Sequence, residues 1–279
     1  MSAPNAASAL HGLRVLVTRP SGRADELLAA ITAFGGRAEH IPLLAVTPLN
    51  ELRDAASWQR TRQHVLELDR YQRVIAISVN AVHYGLQWIE NYWPQLPWGI
   101  AWYGIGAATV AELARFDIIA HSGPVTSAAA PMNSEALLAR PELQQLDGER
   151  ILILRGVGGR ETLAETLRER GARVDYAECY RRVEPELDAA AQRALREFAF
   201  DAVCVNSAET LMNLWQRLDP AARLQLQQCA VIVPSARVAT LAGTLGLRRV
   251  CEAANAGTAA TMTTLRDIAV TENNNGQSE

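Results

Sequence analysis

Short apolar runs alternate with segments of helical spacing along this chain. The run Arg14-Val-Leu-Val-Thr-Arg-Pro20 is typical of a buried strand, and the apolar positions from Ala24 to Phe34 predict a helix that ends at Gly35. The run Arg150-Ile-Leu-Ile-Leu-Arg-Gly156 begins the same plan again in the second half of the chain, and no gap is needed to align the two. The two halves of the chain therefore share one pattern.

Two more pairs of segments repeat this plan. Tyr71–Ser78 matches Phe200–Ser207, and Ile100–Leu113 matches Gln228–Leu241, at nearly the same separation along the chain as the first pair. Each segment begins with a strand-like run that leads into a helical one. Because the separation changes so little, the pattern indicates an internal duplication.

The repetition of strand and helix predicts an α/β fold of two lobes, each a parallel sheet covered by helices on both faces. Ile41–Pro48 and Asp175–Val183 are extended segments that follow the first helix of each copy. If both carry the chain into the other lobe, they form a two-segment hinge. The predicted division is lobe 1 at 1–42 with 180–270, lobe 2 at 46–176, linkers at 42–47 and 177–183, and a disordered tail at 271–279.

Candidate binding residues follow the predicted strands of both copies. Ligands of parallel sheets gather at the carboxyl ends of the strands, so residues directly after the strands are the first to consider. The candidates at these ends are small, hydroxyl-bearing, amide or cationic residues: Thr18, Arg19, Ser78, Asn80, Gly106, Thr109, Arg155, Gly156, Ser207 and Ser235.

The segment Gly104-Ile-Gly-Ala-Ala-Thr109 follows a strand and opens a helix, as a dinucleotide-binding turn does. Threonine replaces the third glycine, and no acidic residue ends a strand about 20 residues later, where a ribose would need one. Two other interpretations stay open. The turn is either a tight strand-to-helix connection or a helix N-terminus whose N–H groups bind a substrate carboxylate.

Two arginine-flanked loops occupy equivalent places in the repeat. Arg155-Gly-Val-Gly-Gly-Arg160 could offer backbone donors and a guanidinium to an anion, and Arg19-Pro-Ser-Gly-Arg23 has a similar arginine pair. The alternative is a flexible loop with solvated arginines. The recurrence in both copies favours an anion-binding role.

The charged residues exclude several kinds of chemistry. The sequence has 27 basic residues, all arginine, so Schiff-base, pyridoxal phosphate and Walker-A chemistry have no lysine to use. Arginine binds carboxylates through a rigid fork of donors, which suits an anionic organic substrate. A net charge of -3 argues against a nucleic-acid partner.

Metal, disulfide and membrane roles are not predicted. The 4 cysteines and 5 histidines are scattered without metal-ligand spacing, so we expect reduced thiols, no metal and no cofactor. No apolar run approaches the roughly 18 to 20 residues that span a bilayer, and the first residues lack the features of a signal peptide. We therefore expect a cytoplasmic protein without a membrane partner.

Tyr180 is the titratable hydroxyl that falls in the second predicted linker, between Glu178 and the pair Arg181-Arg182. Its two interpretations are a packing residue and a functional one. No carboxylate pair and no Ser-His-Asp or Cys-His arrangement stands out, so a strong acid–base dyad is not expected.

The chain resembles the uroporphyrinogen-III synthase family from about Leu13 to Asp267. The resemblance lies in the order and spacing of six pieces: Val17-Thr-Arg-Pro20, Ser78-Val-Asn-Ala-Val82, Gly104-Ile-Gly-Ala-Ala-Thr109, Asn133-Ser-Glu135, Arg155-Gly-Val-Gly-Gly-Arg160 and Glu178-Cys-Tyr-Arg-Arg182. Val79, Asn80 and Asn206 depart from common forms of the family.

The resemblance implies two flavodoxin-like lobes and a cofactor-free lyase of tetrapyrrole biosynthesis. Such an enzyme cyclises hydroxymethylbilane to uroporphyrinogen III, with loss of water and inversion of the terminal pyrrole ring. Tyr180 matches the important tyrosine of the family, and the candidate residues at the strand ends would bind the substrate acetates and propionates. We expect a monomer that receives its substrate from the preceding enzyme of the pathway.

Two rival functions remain at this point. A binding protein without catalysis also has two sheets and a hinge, although such proteins are normally exported. A nucleotide-dependent enzyme shares the fold class, since fold alone does not set function. Turnover separates the first rival from a synthase, and nucleotide binding tests the second.

Overall fold

The fold was analysed in a computed structural model, which describes residues 9–123 and 134–275. Asn133 of the quoted motifs, residues 1–8 and residues 276–279 lie outside the described residues. The first range contains, in chain order, β1 (Arg14–Val17), α1 (Asp25–Ala33), β2 (Arg37–His40), β3 (Ala45–Pro48), α2 (Ala55–Leu66), a 3-10 helix (Leu68–Arg70), β4 (Arg73–Ala76), α3 (Val79–Glu90), β5 (Ala101–Gly104), α4 (Ala107–Ala114) and β6 (Ala120–His121).

The second range continues the alternation of strands and helices. It contains α5 (Ser134–Leu138), a 3-10 helix (Pro141–Leu143), β7 (Arg150–Gly156), α6 (Thr162–Glu169), β8 (Arg173–Val183), α7 (Ala189–Glu197), β9 (Ala202–Cys204), α8 (Ala208–Arg217), α9 (Pro220–Gln228), β10 (Ala230–Val233), α10 (Ala236–Thr244), β11 (Arg249–Glu252) and α11 (Thr258–Asn275). None of the helices in the part of the chain that the structure describes is long and apolar enough to cross a membrane.

The chain forms two compact units. Unit 1 consists of Met1–Ala45 and Val183–Glu279, and unit 2 consists of Val46–Arg182. Residues 177–183, which the sequence assigns to a linker, are the end of the continuous strand β8. Helix α11 reaches Asn275, so residues 271–275, predicted to belong to a disordered tail, are helical.

Unit 1 is built on a sheet of five parallel strands in the order β11-β10-β9-β1-β2. Numbered along the chain within the unit, this order is 2-1-3-4-5, the order of flavodoxin-like sheets. The prediction of parallel sheets from the strand–helix repetition is confirmed for this unit.

Unit 2 has a sheet in the order β3-β8-β7-β4-β5-β6, in which β4 to β8 are parallel. If β7 and β8 take the places of β1 and β2, the order is again 2-1-3-4-5. Each sheet therefore combines strands from both copies of the sequence repeat. The first copy supplies β1 and β2 to unit 1 and β4 to β6 to unit 2.

Both sheets are buried on both faces, because successive side chains of a strand point to opposite sides. In β1, Leu16 packs in one core of unit 1, while Val15 and Val17 pack in the other. In β7, Leu152 and Ile153 divide in the same way between the two cores of unit 2. This double burial explains why the strands read as continuous apolar runs.

A polar network covers the amino ends of the strands of unit 2. Tyr71 is 2% exposed, and its hydroxyl donates to Asp175 Oδ2 at 2.9 Å. The same hydroxyl lies 3.0 Å from His64 Nδ1 and accepts from Arg150 Nη2 at 3.3 Å. Burial, with help from Asp175, raises the pKa of Tyr71 well above its usual range, whereas burial lowers the pKa of His64.

We expect Tyr71→Phe to lower the free energy of unfolding by about 1 to 3 kcal/mol, because it leaves buried polar partners without the hydroxyl. The midpoint of urea unfolding measures the loss. Tyr92→Phe is the matched control, since its hydroxyl has no hydrogen bond among the described residues. Equal midpoints for the two variants would contradict a stabilising role for the network.

Candidate functional site

A cavity of about 360 Å³ opens at the carboxyl edge of the unit 2 sheet. Its walls include Ile77 after β4, Ile105 after β5, the glycine-rich loop after β7, and Tyr176, Tyr180 and Arg182 of β8. Strands β4 and β7 are the neighbours between which the strand order reverses. The cavity therefore lies where ligands of parallel α/β sheets usually bind.

Tyr180 reaches this cavity through an irregularity of β8. Arg155 of β7 pairs with Glu178, but the next residue, Gly156, pairs with Tyr180, so Cys179 is an extra residue in the strand. Such bulges re-aim side chains and are common beside active sites. The bulge places the ring of Tyr180, which is 2% exposed, directly against Gly156.

The contact between Gly156 and Tyr180 leaves no room for a larger residue at position 156. A Cβ added to Gly156 would lie 2.6 Å from Cε2 of Tyr180. The backbone also ties the loop to the strand, because Val157 N donates to Tyr180 O at 2.8 Å. Gly156, predicted as a binding residue, thus has a visible structural role in seating the tyrosine.

Ser78 and Tyr84 surround the rest of Tyr180. The Ser78 hydroxyl lies 3.2 Å from the Tyr180 hydroxyl and accepts from Ala81 N at 3.1 Å as the N-cap of α3. The ring of Tyr84 lies 5.5 Å from the Tyr180 ring, and its own hydroxyl donates to Val46 O. The tyrosine is therefore held on three sides, with its hydroxyl beside a serine.

Arg155 holds the glycine-rich loop in place. Its side chain is 3% exposed, and its guanidinium donates to Gly156 O, to Gly158 O and to Glu161 Oε1 at 3.1 Å. The guanidinium also lies over the ring of Tyr176 at 4.4 Å. Arg155 lines the cavity, but its donors, which the sequence predicted for an anion, are directed to the protein.

Glu161 and Tyr176 complete this cluster. The Tyr176 hydroxyl donates to Glu161 Oε2 at 2.5 Å. This hydrogen bond, with the charge of Arg155, lowers the pKa of Glu161, so the carboxylate is ionised at neutral pH. Burial raises the pKa of Tyr176 to about 12, so its phenol stays protonated. Arg155 and Tyr176 line the cavity, and Glu161 holds these two side chains together.

Three other candidates of unit 2 lie outside the cavity walls. Asn80 is the second residue of α3. Gly106 is the N-cap of α4 with a φ of 87°, a left-handed conformation that favours glycine. Thr109 is buried, and its hydroxyl donates to Ile105 O at 2.7 Å. Gly106 and Thr109 thus form a tight strand-to-helix turn, one of the alternatives that the sequence left open.

The equivalent end of unit 1 is nearly closed, with a space of about 10 Å³. Thr18 is buried, and its hydroxyl donates to Cys204 O at 2.8 Å. Arg19 is 8% exposed and donates to Ala256 O at 2.8 Å, to Thr258 Oγ1 and to Thr261 Oγ1. Its guanidinium secures the start of α11, which gives it a structural task that the sequence did not predict.

Ser207 and Ser235 both cap helices of unit 1. Ser207 is the N-cap of α8, and its Oγ accepts from Thr210 N at 3.1 Å. Ser235 is the N-cap of α10 and makes no side-chain cap hydrogen bond. The structure thus brings Ser78, Arg155, Gly156 and Tyr180 together in unit 2, while Thr18, Arg19, Ser207 and Ser235 belong to unit 1.

Tyr176, Glu161 and Arg182 contribute to the site although they were not among the predicted site residues. Arg182 stands two residues after Tyr180 on β8, beyond the bulge, and this alternation is the signal that could have found it. Tyr176 precedes the bulge and packs against the other core of the unit, so the spacing gave no signal for it. No sequence signal pointed to Glu161, because its place in the cluster depends on the hydrogen bond from Arg155, which only the structure shows. In the described ranges, no group of three or more His, Cys, Asp or Glu residues could hold a metal ion.

Comparison with known proteins adds the family. Residues 25–262 match the family model described as uroporphyrinogen-III synthase HemD. The uroporphyrinogen-III synthase of Escherichia coli (strain K12) is 34% identical over 253 residues, which cover 88% of this chain and 96% of that protein. The one from Salmonella typhimurium is 36% identical over 256 residues, again 88% and 96% of the two chains.

Solved structures agree on the fold. The uroporphyrinogen-III synthetase of Helicobacter pylori 26695 has a TM-score of 0.57 at 12% identity, and covers 93% of this chain and 99% of its own. A mutant uroporphyrinogen III synthase of the extremely thermophilic bacterium Thermus thermophilus has a TM-score of 0.56 at 17% identity, over 96% and 100% of the chains.

The fold is that of an α/β protein with two flavodoxin-like sheets, and a cavity opens at the carboxyl edge of the sheet in unit 2. The family match and the relatives together make the chain a member of the uroporphyrinogen-III synthase family. It is therefore a cyclising hydro-lyase of tetrapyrrole biosynthesis.

We expect Gly156→Ala to displace the ring of Tyr180 and to reduce activity at least about tenfold, because a shift of about 1 Å can be costly at a reacting centre. Turnover and a thermal melt measure the effect. Gly243→Ala is the matched control, since a Cβ there meets nothing within 4 Å inside α10. Full activity of Gly156→Ala would show that the seating of Tyr180 is unimportant.

Proposed function

We propose that the chain converts hydroxymethylbilane to uroporphyrinogen III at the cavity of unit 2, with Tyr180 as the catalytic residue. The observation that carries this proposal is the phenol of Tyr180, held beside Ser78 in the wall of a cavity at the carboxyl edge of the sheet. Family membership supplies the reaction.

The reaction needs little proton-transfer machinery from the protein. The carbon–oxygen bond of the terminal hydroxymethyl group breaks as the pyrrole nitrogen supplies electrons, and the hydroxyl leaves as water once it has gained a proton. The resulting azafulvene is attacked by the substituted carbon of the far pyrrole ring. The spiro intermediate then fragments and closes again with that ring inverted, so the net change is loss of one water.

Tyr180 is suited to assist the departing hydroxyl. Ser78 Oγ accepts from Ala81 N, and either hydroxyl of the Ser78–Tyr180 pair can be the donor to the other. When Ser78 donates, the phenol proton of Tyr180 is left for an oxygen of the substrate. A phenol is a weak acid, so Tyr180 acts mainly as a hydrogen-bond donor that follows the leaving oxygen.

The cavity walls provide shape. Ile77, Ile105, Ile153 and Leu163 give apolar surface for a pyrrole ring, and arginines supply positive charge for carboxylates. A volume of about 360 Å³ is at the lower end of the usual range for small-molecule sites, about 300 to 1,000 Å³. It suits a terminal part of a linear tetrapyrrole. Holding the end ring there favours the inverting closure over the direct one.

The other predicted binding residues enter the proposal in different ways. Ser207 and Ser235 cap α8 and α10, whose N-termini offer backbone N–H groups and a positive dipole end to carboxylates. Thr18, Arg19 and Thr109 direct their side chains to backbone carbonyls or to α11, so they contribute through the turns that they stabilise. A monomeric state, a cytoplasmic location and delivery of the substrate by the preceding enzyme stay predictions.

We expect the purified protein to turn freshly made hydroxymethylbilane into uroporphyrinogen III without an added cofactor. Chromatographic separation of the oxidised products distinguishes isomer III from isomer I, the product of unassisted closure. Formation of isomer I alone would reject the proposed function and favour a binding protein without catalysis.

We expect Tyr180→Phe to lower kcat by about 100-fold, the lower end of the usual range for general acid–base groups, because the phenol is a weak acid. The measurement is single-turnover formation of isomer III. Tyr84→Phe is the matched control, since it removes a hydroxyl that donates to Val46 O rather than into the cavity. If both variants retain wild-type kcat, Tyr180 has no catalytic role.

A further inference from the structure

Two neighbouring arginines at the end of β8 have different surroundings. Arg181 donates to the carboxylate of Asp54, with Nη2 at 2.9 Å from Oδ1, and the Asp54 side chain is only 2% exposed. Arg182 is exposed and lines the cavity together with Tyr180. Successive residues of a strand point to opposite sides, so residues 180 and 182 share a side while Arg181 faces away.

The arginines of the cavity differ in whether their guanidinium groups are already bound to other protein groups. Arg155 is committed to Gly158 O and Glu161. Arg160 and Arg182 line the cavity and have no ion pair among the described residues. Glu135 is the acidic side chain in the described walls, so the balance is positive. A polycarboxylate would be attracted by this balance, and the free guanidinium groups can bind carboxylates bidentately.

Arg182 stands in a fixed relation to the phenol of Tyr180. Two residues along a strand are about 7 Å apart at the backbone, and the bulge at Cys179 precedes both of them. A carboxylate bound by Arg182 would hold one side chain of a pyrrole while the ring lies near the Tyr180 hydroxyl. It would also restrain the rotation of that ring, and this rotation decides which carbon forms the new bond.

Resting on the proposed function above, we propose that Arg182 is a specificity-determining residue that binds a carboxylate of the terminal pyrrole ring, assisted by Arg160, and directs closure to isomer III. It binds and orients the ring, while Tyr180 assists the leaving hydroxyl. The two residues are then separable by experiment, because removal of Arg182 weakens substrate binding and loosens the ring, whereas removal of the phenol slows the chemical step.

The test compares Arg182→Gln, Arg182→Lys and the wild-type chain, with Arg173→Gln as the control. Arg173 is another exposed arginine of β8, at the opposite end of the strand. We expect Arg182→Gln to raise KM for hydroxymethylbilane by about 10- to 100-fold, since the loss of a hydrogen bond between charged groups weakens binding by about this factor. We also expect a larger share of isomer I among the products.

Three further readings make the test specific. Arg182→Lys keeps the positive charge but loses the two parallel donors of the guanidinium. Its KM should therefore lie between those of the wild-type chain and Arg182→Gln, and its fraction of isomer III should stay closer to that of Arg182→Gln. Added salt should raise KM of the wild-type chain more than KM of Arg182→Gln, because the variant lacks the ion pair of residue 182 that salt screens. Circular dichroism melts confirm that each variant is folded, which is expected for an exposed side chain.

The outcomes separate this inference from the proposed function. If the wild-type chain forms isomer III while Arg182→Gln keeps wild-type KM and isomer ratio, the role of Arg182 is overturned and the proposed function stands. If the wild-type chain forms only isomer I, the proposed function fails first. An equal rise of KM in Arg173→Gln would also overturn the inference, since it would reflect general charge.

Discussion

The pairing of β7 with β8 is the constraint on which the candidate site depends. Cys179 is one extra residue in β8 and shifts the register of the pair, so Tyr180, instead of Cys179, lies opposite Gly156. This shift brings the phenol into the cavity wall, requires a residue without a side chain at position 156, and sets the side of the strand on which Arg182 stands. One irregularity in one strand pair thus sets the positions of three residues: the proposed catalytic tyrosine, the glycine beside it and the proposed carboxylate-binding arginine.

Arg155 and Arg19 show how a duplicated sequence can serve two purposes. They occupy equivalent positions in the repeat, and both are buried. Arg19 lies two residues after β1, and Arg155 is one of the last two residues of β7. Arg155 draws the glycine-rich loop around its guanidinium and leaves a cavity of about 360 Å³ beside it. Arg19 holds the start of α11, and the space beside it is about 10 Å³. The equivalent arginines of the two copies thus lie beside a large cavity in unit 2 and a very small one in unit 1.

The apolar runs and their spacing were sufficient to predict the parallel sheets, because strands buried on both faces carry an unbroken apolar signal. The repeat and the carboxyl-edge rule selected Ser78 and Arg155 as candidates, and the second predicted linker selected Tyr180; their roles in binding and catalysis stay predictions. The sequence could not reveal that Arg155 and Arg19 donate to backbone carbonyls, since the hydrogen-bond partners of an arginine depend on the tertiary structure around it. The bulge at Cys179 was equally hidden, because a shift of register leaves no mark on composition or on period.

The exchange of strands between the two copies has a consequence for synthesis of the protein. Unit 2 is a continuous stretch, Val46–Arg182, so all of its sheet exists once the ribosome has passed Arg182. Strands β1 and β2 are made before unit 2, yet β9, the other neighbour of β1, is made after it. Domains generally fold as units while the chain emerges. Strand β1 must therefore wait, unpaired along one edge, until the whole of unit 2 and then β9 have been made.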